Sequence, residues 1–169
     1  MMAYTSRRKT QANVAWSMAA ILVAGAIILT VVPLPEYLRP FRPHWIILAL
    51  FYLGVFSPMQ SGIVRSWLLG VVVDVLTGTL MGMHALTFSL TTFITLRFHL
   101  QLRVFVVAQQ MITITILILL NLIVEIMIRA ATGNLVDTIY FWGPLISTPL
   151  FWPPVYILAS RLTRLLNER

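Results

Sequence analysis

Four residues recur at a spacing of four in the stretch Gly70-Val-Val-Val-Asp74-Val-Leu-Thr-Gly78-Thr-Leu-Met-Gly82. On a helix, positions i and i+4 lie one above the other. The spacing therefore predicts a groove of glycines on one helix face, with the carboxylate of Asp74 set into it. The neighbours Val71, Val72, Val73, Val75 and Leu76 are apolar. An acid in such a run costs about 2.5–3.5 kcal/mol to insert into lipid, so Asp74 should face protein or a water-filled cavity. A Gly-x-x-x-Gly spacing alone recurs wherever membrane helices approach closely. The acid on the same face is what separates this stretch from ordinary small-residue packing.

The rest of the chain is equally apolar. Of its 169 residues, 59% are hydrophobic and only 10% are charged, against about 25% charged in a soluble domain. The composition predicts an all-α integral membrane protein of one domain, residues 1–169. Residues 1–13 form a basic cytoplasmic N-terminus, 14–160 the membrane bundle and 161–169 a basic cytoplasmic C-terminus. The net charge of +7 is placed like that of a membrane protein meeting anionic lipid, and nucleic acid is not an expected partner. Cysteine is absent, which excludes disulfides and thiolate metal sites.

Six apolar segments follow one another: Val14–Val32, Trp45–Phe56, about Ser66–Met81, about Met83–Leu96, Val104–Ile128 and Ile139–Ser160. The first is too long for the apolar core of a typical signal peptide and is expected to stay as a span. The second, at twelve residues, is short for a crossing. Charge placement decides in its favour. With six spans the cytoplasmic side holds Arg7, Arg8, Lys9, Arg65, Arg97, Arg103, Arg161, Arg164 and Arg169, and the outside holds Arg39, Arg42 and Arg129. Without the second span most of these basic residues change sides. The expectation is a bundle of six transmembrane helices, multi-pass, with both termini cytoplasmic. The last segment carries Pro144, Pro149, Pro153 and Pro154 and should be kinked or broken.

No catalytic set is apparent. Asp74 and Glu125 are the acids within spans, and Glu125 has Arg129 four residues on, the favourable order for a helical ion pair. His44, His84 and His99 share no ligand spacing, so neither a metal nor a cofactor is expected, and interfacial positions suit them better. The Ser and Thr residues of the fourth segment suit hydrogen bonds across helices or to Asp74. The Gln109-Gln110 pair suits helix contacts in the same way. In the proline-rich loop Pro33–Trp45, Pro43 suits a first helical turn and Trp45 a membrane interface.

The pattern Gly70-x-x-x-Asp74-x-x-x-Gly78-x-x-x-Gly82-x-x-Ala85-Leu86 resembles the MreD family of rod shape-determining proteins. So do the short basic N-terminus, the Arg42-Pro43-His44-Trp45 opening of the second segment, the late acid of the fifth and the aromatic-proline start of the sixth. Glu125 stands where the family pattern carries Asp. The resemblance implies a non-enzymatic scaffold of the cell-elongation machinery in the bacterial inner membrane, regulating cell shape through lateral peptidoglycan synthesis. The implied partners are membrane lipids, an MreC-like shape protein, the actin-like MreB and the wall-elongation glycosyltransferase/transpeptidase pair. It also implies a compact six-helix fold similar to the substrate-binding subunits of energy-coupling-factor importers. That likeness raises an alternative function, small-molecule binding or transport. The site residues expected to matter are Gly70, Asp74, Gly78 and Gly82 for helix packing or partner binding, with Glu125, Arg129, Arg42, Pro43 and Trp45 as secondary polar or interfacial candidates.

Overall fold

A computed structural model describes residues 2–33, 35, 41–133 and 140–167, with side chains for 15–33, 35, 41–133 and 141–165. Seven α-helices follow in order: α1 (Met2–Val31), α2 (Trp45–Phe56), α3 (Ile63–Thr77), α4 (Met83–Val104), α5 (Val107–Ala131), α6 (Gly143–Leu150) and α7 (Trp152–Asn167). A 3-10 turn, Tyr140–Trp142, leads into α6.

The short helix α2 is the core. Every residue from Ile46 to Val55 is buried, as expected for a helix that is apolar on all sides. Helices α1, α4 and α7 pack around it. Phe51 stacks edge-on against the fully buried Trp152, with ring centroids 5.0 Å apart. The Cβ position of Gly54 would meet Cγ2 of Thr95 at 2.6 Å, so α2 and α4 touch almost backbone to side chain.

Helices α3 and α4 form a tight hairpin. A Cβ on Gly70 would lie 2.3 Å from Cα of Ala85, which places the two backbones in direct contact. Lower in the hairpin Thr92 donates to Ser66 at 2.6 Å. The threonines of α4 are largely internal. Thr87, Thr91 and Thr95 return their hydroxyls to the carbonyls one turn earlier, which satisfies them without a partner helix. Asn121 of α5 then donates to Thr91 at 2.8 Å.

Two ends can be told apart from side-chain contacts. At one, Trp16 meets Arg65 and Thr163 of α7 meets Met18 and Tyr52. At the other, Arg42 meets the end of α1, and Asp74 meets the start of α4. The first end also carries Arg161 and Arg164 in the closing turns of α7.

The expected bundle of six transmembrane helices is not what the chain forms. Among the described residues there are seven helices, and only Val107–Ala131 is long and apolar enough to cross a membrane. The reasons are local. A crossing of about 30 Å needs about 20 apolar residues. Helix α2 has 12 and is enclosed by its neighbours, and α3 has 15 and stops at Gly78. Helix α4 is long enough, but polar residues and Arg97 interrupt it. The last apolar segment is divided at Phe151 into α6 and α7, where Pro149, Pro153 and Pro154 cluster. Pro removes a backbone donor and crowds the preceding turn. The likeness to energy-coupling-factor importer subunits rested on the six-helix arrangement and is withdrawn with it.

Candidate functional site

The glycine–aspartate stretch builds the α3–α4 corner rather than a continuous helical groove. Gly70 and Asp74 lie on α3 and face α4. Helix α3 ends at Thr77, and Gly78 and Gly82 are hinge residues of the turn, with φ of 64° and 98°. Only glycine adopts such angles without strain. Gly78 therefore terminates α3 as a left-handed cap, its N–H returning to the Asp74 carbonyl. Gly82 starts α4 but has no side chain with which to cap it.

Asp74 supplies the missing cap from the preceding helix. Its Oδ2 accepts from the Gly82 N–H at 2.8 Å, and its Oδ1 accepts from the His84 N–H at 3.0 Å. A carboxylate at a helix N-terminus also faces the positive end of the helix dipole. The same Oδ1 accepts from Thr79 Oγ1 at 3.0 Å and lies 2.7 Å from Nδ1 of His84. Asp74 is only 2% exposed. Among the described residues, all its polar neighbours come from residues 79–84, so the acid is satisfied within one hairpin. A residue of this kind fixes geometry: no reacting atom or ligand is needed to explain its burial.

The second motif meets the first. The Arg42 guanidinium donates to the carbonyls of Leu29 and Val32 at 3.0 and 2.8 Å, capping the C-terminal end of α1. Pro43 precedes the N-cap residue of α2, His44, instead of occupying its first turn. The His44 N–H donates to Thr148 of α6 at 3.1 Å. Trp45 packs edge-on against Phe151, centroids 5.1 Å apart. Arg42, His44, Thr30, Thr77, His84 and Phe88 then line one cavity of about 210 Å³. Glu125 and Arg129 form their own ion pair at 2.7 Å on α5. Glu125 does not join Asp74, though its charge acts on His44. Burial nevertheless dominates there and pushes the His44 imidazole down to about 4.

His84 and Thr79 are the functional-site residues that periodicity misses. His84 sits ten positions after Asp74, across a turn, where no helical spacing pairs them. The available signal was chemical: a helix start with glycine as its N-cap lacks an acceptor, and Asp74 was the acid at hand. Gln110 likewise goes beyond a helix-contact role. It is buried, donates to the Leu102 carbonyl at 3.1 Å and accepts from the Trp152 indole N–H at 3.0 Å.

Comparison with known proteins decides what this arrangement belongs to. The family model for rod shape-determining protein MreD matches residues 10–162. The chain belongs to the MreD family. The rod shape-determining protein MreD of Haemophilus influenzae (strain ATCC 51907 / DSM 11121 / KW20 / Rd) is 26% identical over 142 residues, which cover 82% of this chain and 86% of that protein. No solved structure matches the chain. As an MreD-family member it is a membrane-associated, non-enzymatic component of the rod-shape, cell-elongation machinery. The transport alternative, raised by the importer-like architecture and by the two acids within spans, loses the architecture.

Proposed function

We propose that this MreD-family chain works as a scaffold in the bacterial inner membrane, with the α3–α4 hairpin as its docking element. In this reading an MreC-like shape protein binds the hairpin, and the assembly extends to the actin-like MreB and the wall-elongation glycosyltransferase/transpeptidase pair. The observation that carries the reading is the internal satisfaction of Asp74. The acid holds the corner rigid, while the opposite side of α3 presents Val64, Leu68, Val72 and Val75, all exposed. These recur at helical spacing and make a continuous apolar stripe. A rigid hairpin with an apolar outer face suits recognition by a partner's membrane helix.

Co-purification from mild detergent tests this. Asp74→Ala should weaken recovery of the MreC-like partner and shorten rod-shaped cells. Thr77→Ala, which removes bonds to Val73 and Thr79 only, should change little. Equal, negligible effects of both substitutions would count against the hairpin as docking element.

We also propose a multi-pass arrangement with both termini cytoplasmic. The absence of cysteine makes single introduced thiols clean probes. Val106 and Thr132 flank α5, the described helix long enough to cross, and both are exposed. A membrane-impermeant maleimide on intact spheroplasts should label Thr132→Cys and spare Val106→Cys until the cells are opened. Labelling of both from the same side would overturn the arrangement.

A further inference from the structure

A groove on the far side of α3 from the Asp74 corner has the make-up of a lipid site. It is a cavity of about 390 Å³ between α1, α2 and α3. Ala19 and Ala20 of α1 leave the space, and Val23, Leu50 and Leu69 continue it as an apolar slot. One end of the slot is polar: Gln60, Ser61 and Arg65 stand there.

The polar end is short of partners. The Arg65 guanidinium lies 4.4 Å from the centroid of the Trp16 ring, and its Nη1 donates to the Met59 and Gln60 carbonyls at 3.3 and 3.1 Å. Nη2 and Nε have no acceptor among the described residues. No acid pairs with this charge there either, since the described ion pairs are His84–Asp74 and Arg129–Glu125. Ser61 Oγ is buried with no hydrogen-bond partner among the described residues. Helix α3 begins beside it with an N-cap glycine, Gly62, so no side chain caps its first N–H groups. A cation, an unoccupied hydroxyl and the positive end of a helix dipole thus converge on one mouth, above an apolar slot.

The geometry points to an anionic phospholipid as the occupant, its phosphate at Arg65 and the start of α3 and one acyl chain along Ala20, Val23 and Leu69. Charge complementarity selects the anionic class. The same end of the molecule carries Arg161 and Arg164. A zwitterionic headgroup would bring an ammonium group to a mouth that is already positive. The Trp16 ring suits the headgroup level of a bilayer.

The test is lipid retention by the full chain in native mass spectrometry. The protein is equilibrated with micelles doped equally with dioleoyl phosphatidylglycerol and dioleoyl phosphatidylethanolamine. Wild type should retain the phosphatidylglycerol in about fivefold preference, the size expected of one cation at an anionic headgroup. Arg65→Gln should abolish the preference, and Arg65→Lys should keep most of it. Ala20→Leu, at an exposed position of the slot, should lower retention of both lipids. Arg97→Gln removes the same charge from α4, away from the slot, and should leave the preference intact. Equal retention of both lipids by wild type, a measurement that needs no variant, would overturn the proposal. So would an equal loss from Arg97→Gln, which would mean diffuse attraction, or a slot found filled by a co-purifying polypeptide instead of lipid.

Discussion

Nδ1 of His84 lies 2.7 Å from Oδ1 of Asp74, joining the first turn of α4 to the last turn of α3. The contact closes a corner in which one carboxylate accepts from two backbone N–H groups, a hydroxyl and a ring. Two helices that lack side-chain caps of their own are thereby held by a residue that belongs to one of them.

Removing that carboxylate should be costly. Asp74→Ala strands the N–H groups of Gly82 and His84 in a site that water reaches poorly. Each unsatisfied buried donor costs about 1–3 kcal/mol, so the loss from two should be about 2–6 kcal/mol in equilibrium unfolding from mixed micelles. Asp74→Asn keeps an acceptor oxygen and should lose about half as much. A loss from Asp74→Asn as large as from Asp74→Ala would mean that charge, not the cap, dominates.

Gly70 and Gly25 should respond to alanine in opposite directions. At Gly70 the added methyl would meet the backbone of Ala85, with Cα at 2.3 Å and N at 2.4 Å. Backbone cannot rotate aside, so the hairpin must open, at about 1–3 kcal/mol. At Gly25, within α1, nothing lies within 4 Å. There alanine only restricts the unfolded chain and should add up to about 1 kcal/mol. Melting temperatures of the two variants should therefore move apart around the wild-type value.

These responses mark what was legible in the sequence and what was not. Spacing singled out Gly70 and Asp74, and both lie at the α3–α4 contact. The boundaries of α2 also matched, because Pro43 and Ser57-Pro58 bracket an unbroken apolar run. The same spacing rule ran past the end of α3, since a four-residue repeat of glycines looks alike in a helix and in a left-handed turn. Only the backbone angles at Gly78 and Gly82 separate the two cases. The count of crossings failed for a related reason. Hydropathy shows that a segment avoids water and does not distinguish lipid from neighbouring helices, and α2 is buried by protein. Pairings such as Asp74–His84 and Gln110–Trp152 depend on tertiary approach and carry no periodic trace.

Trp152 and Gln110 should behave as a unit. Trp152 is fully buried and its indole N–H has Gln110 Oε1 as acceptor. Trp152→Phe leaves that oxygen unpaired and should cost about 1–3 kcal/mol beyond the lost ring area. Gln110→Met removes the oxygen as well as the donor to Leu102. In a double-mutant cycle the combined variant should lose about 1 kcal/mol less than the sum of the two single losses. Simple additivity would show that the hydrogen bond contributes nothing across the α5–α7 contact.

His44 should make the fold sensitive to mild acid. Burial opposes its charged form, His84 and Arg42 add repulsion, and only Glu125 pulls the other way, leaving the imidazole at about 4 in place of 6.5. A base with a lowered value in the folded state binds fewer protons than the unfolded chain between those two values. Stability is then complete above about pH 6.5 and falls as the pH drops toward 4, where the folded protein also begins to protonate. His44→Gln has nothing to protonate, so its unfolding free energy should be flatter over that window. Asp74, Glu125, Arg42 and His84 are common to both proteins, so the difference between the two curves reports the His44 ring. An unchanged slope in His44→Gln would place the acid sensitivity elsewhere in the Arg42–His84 cavity.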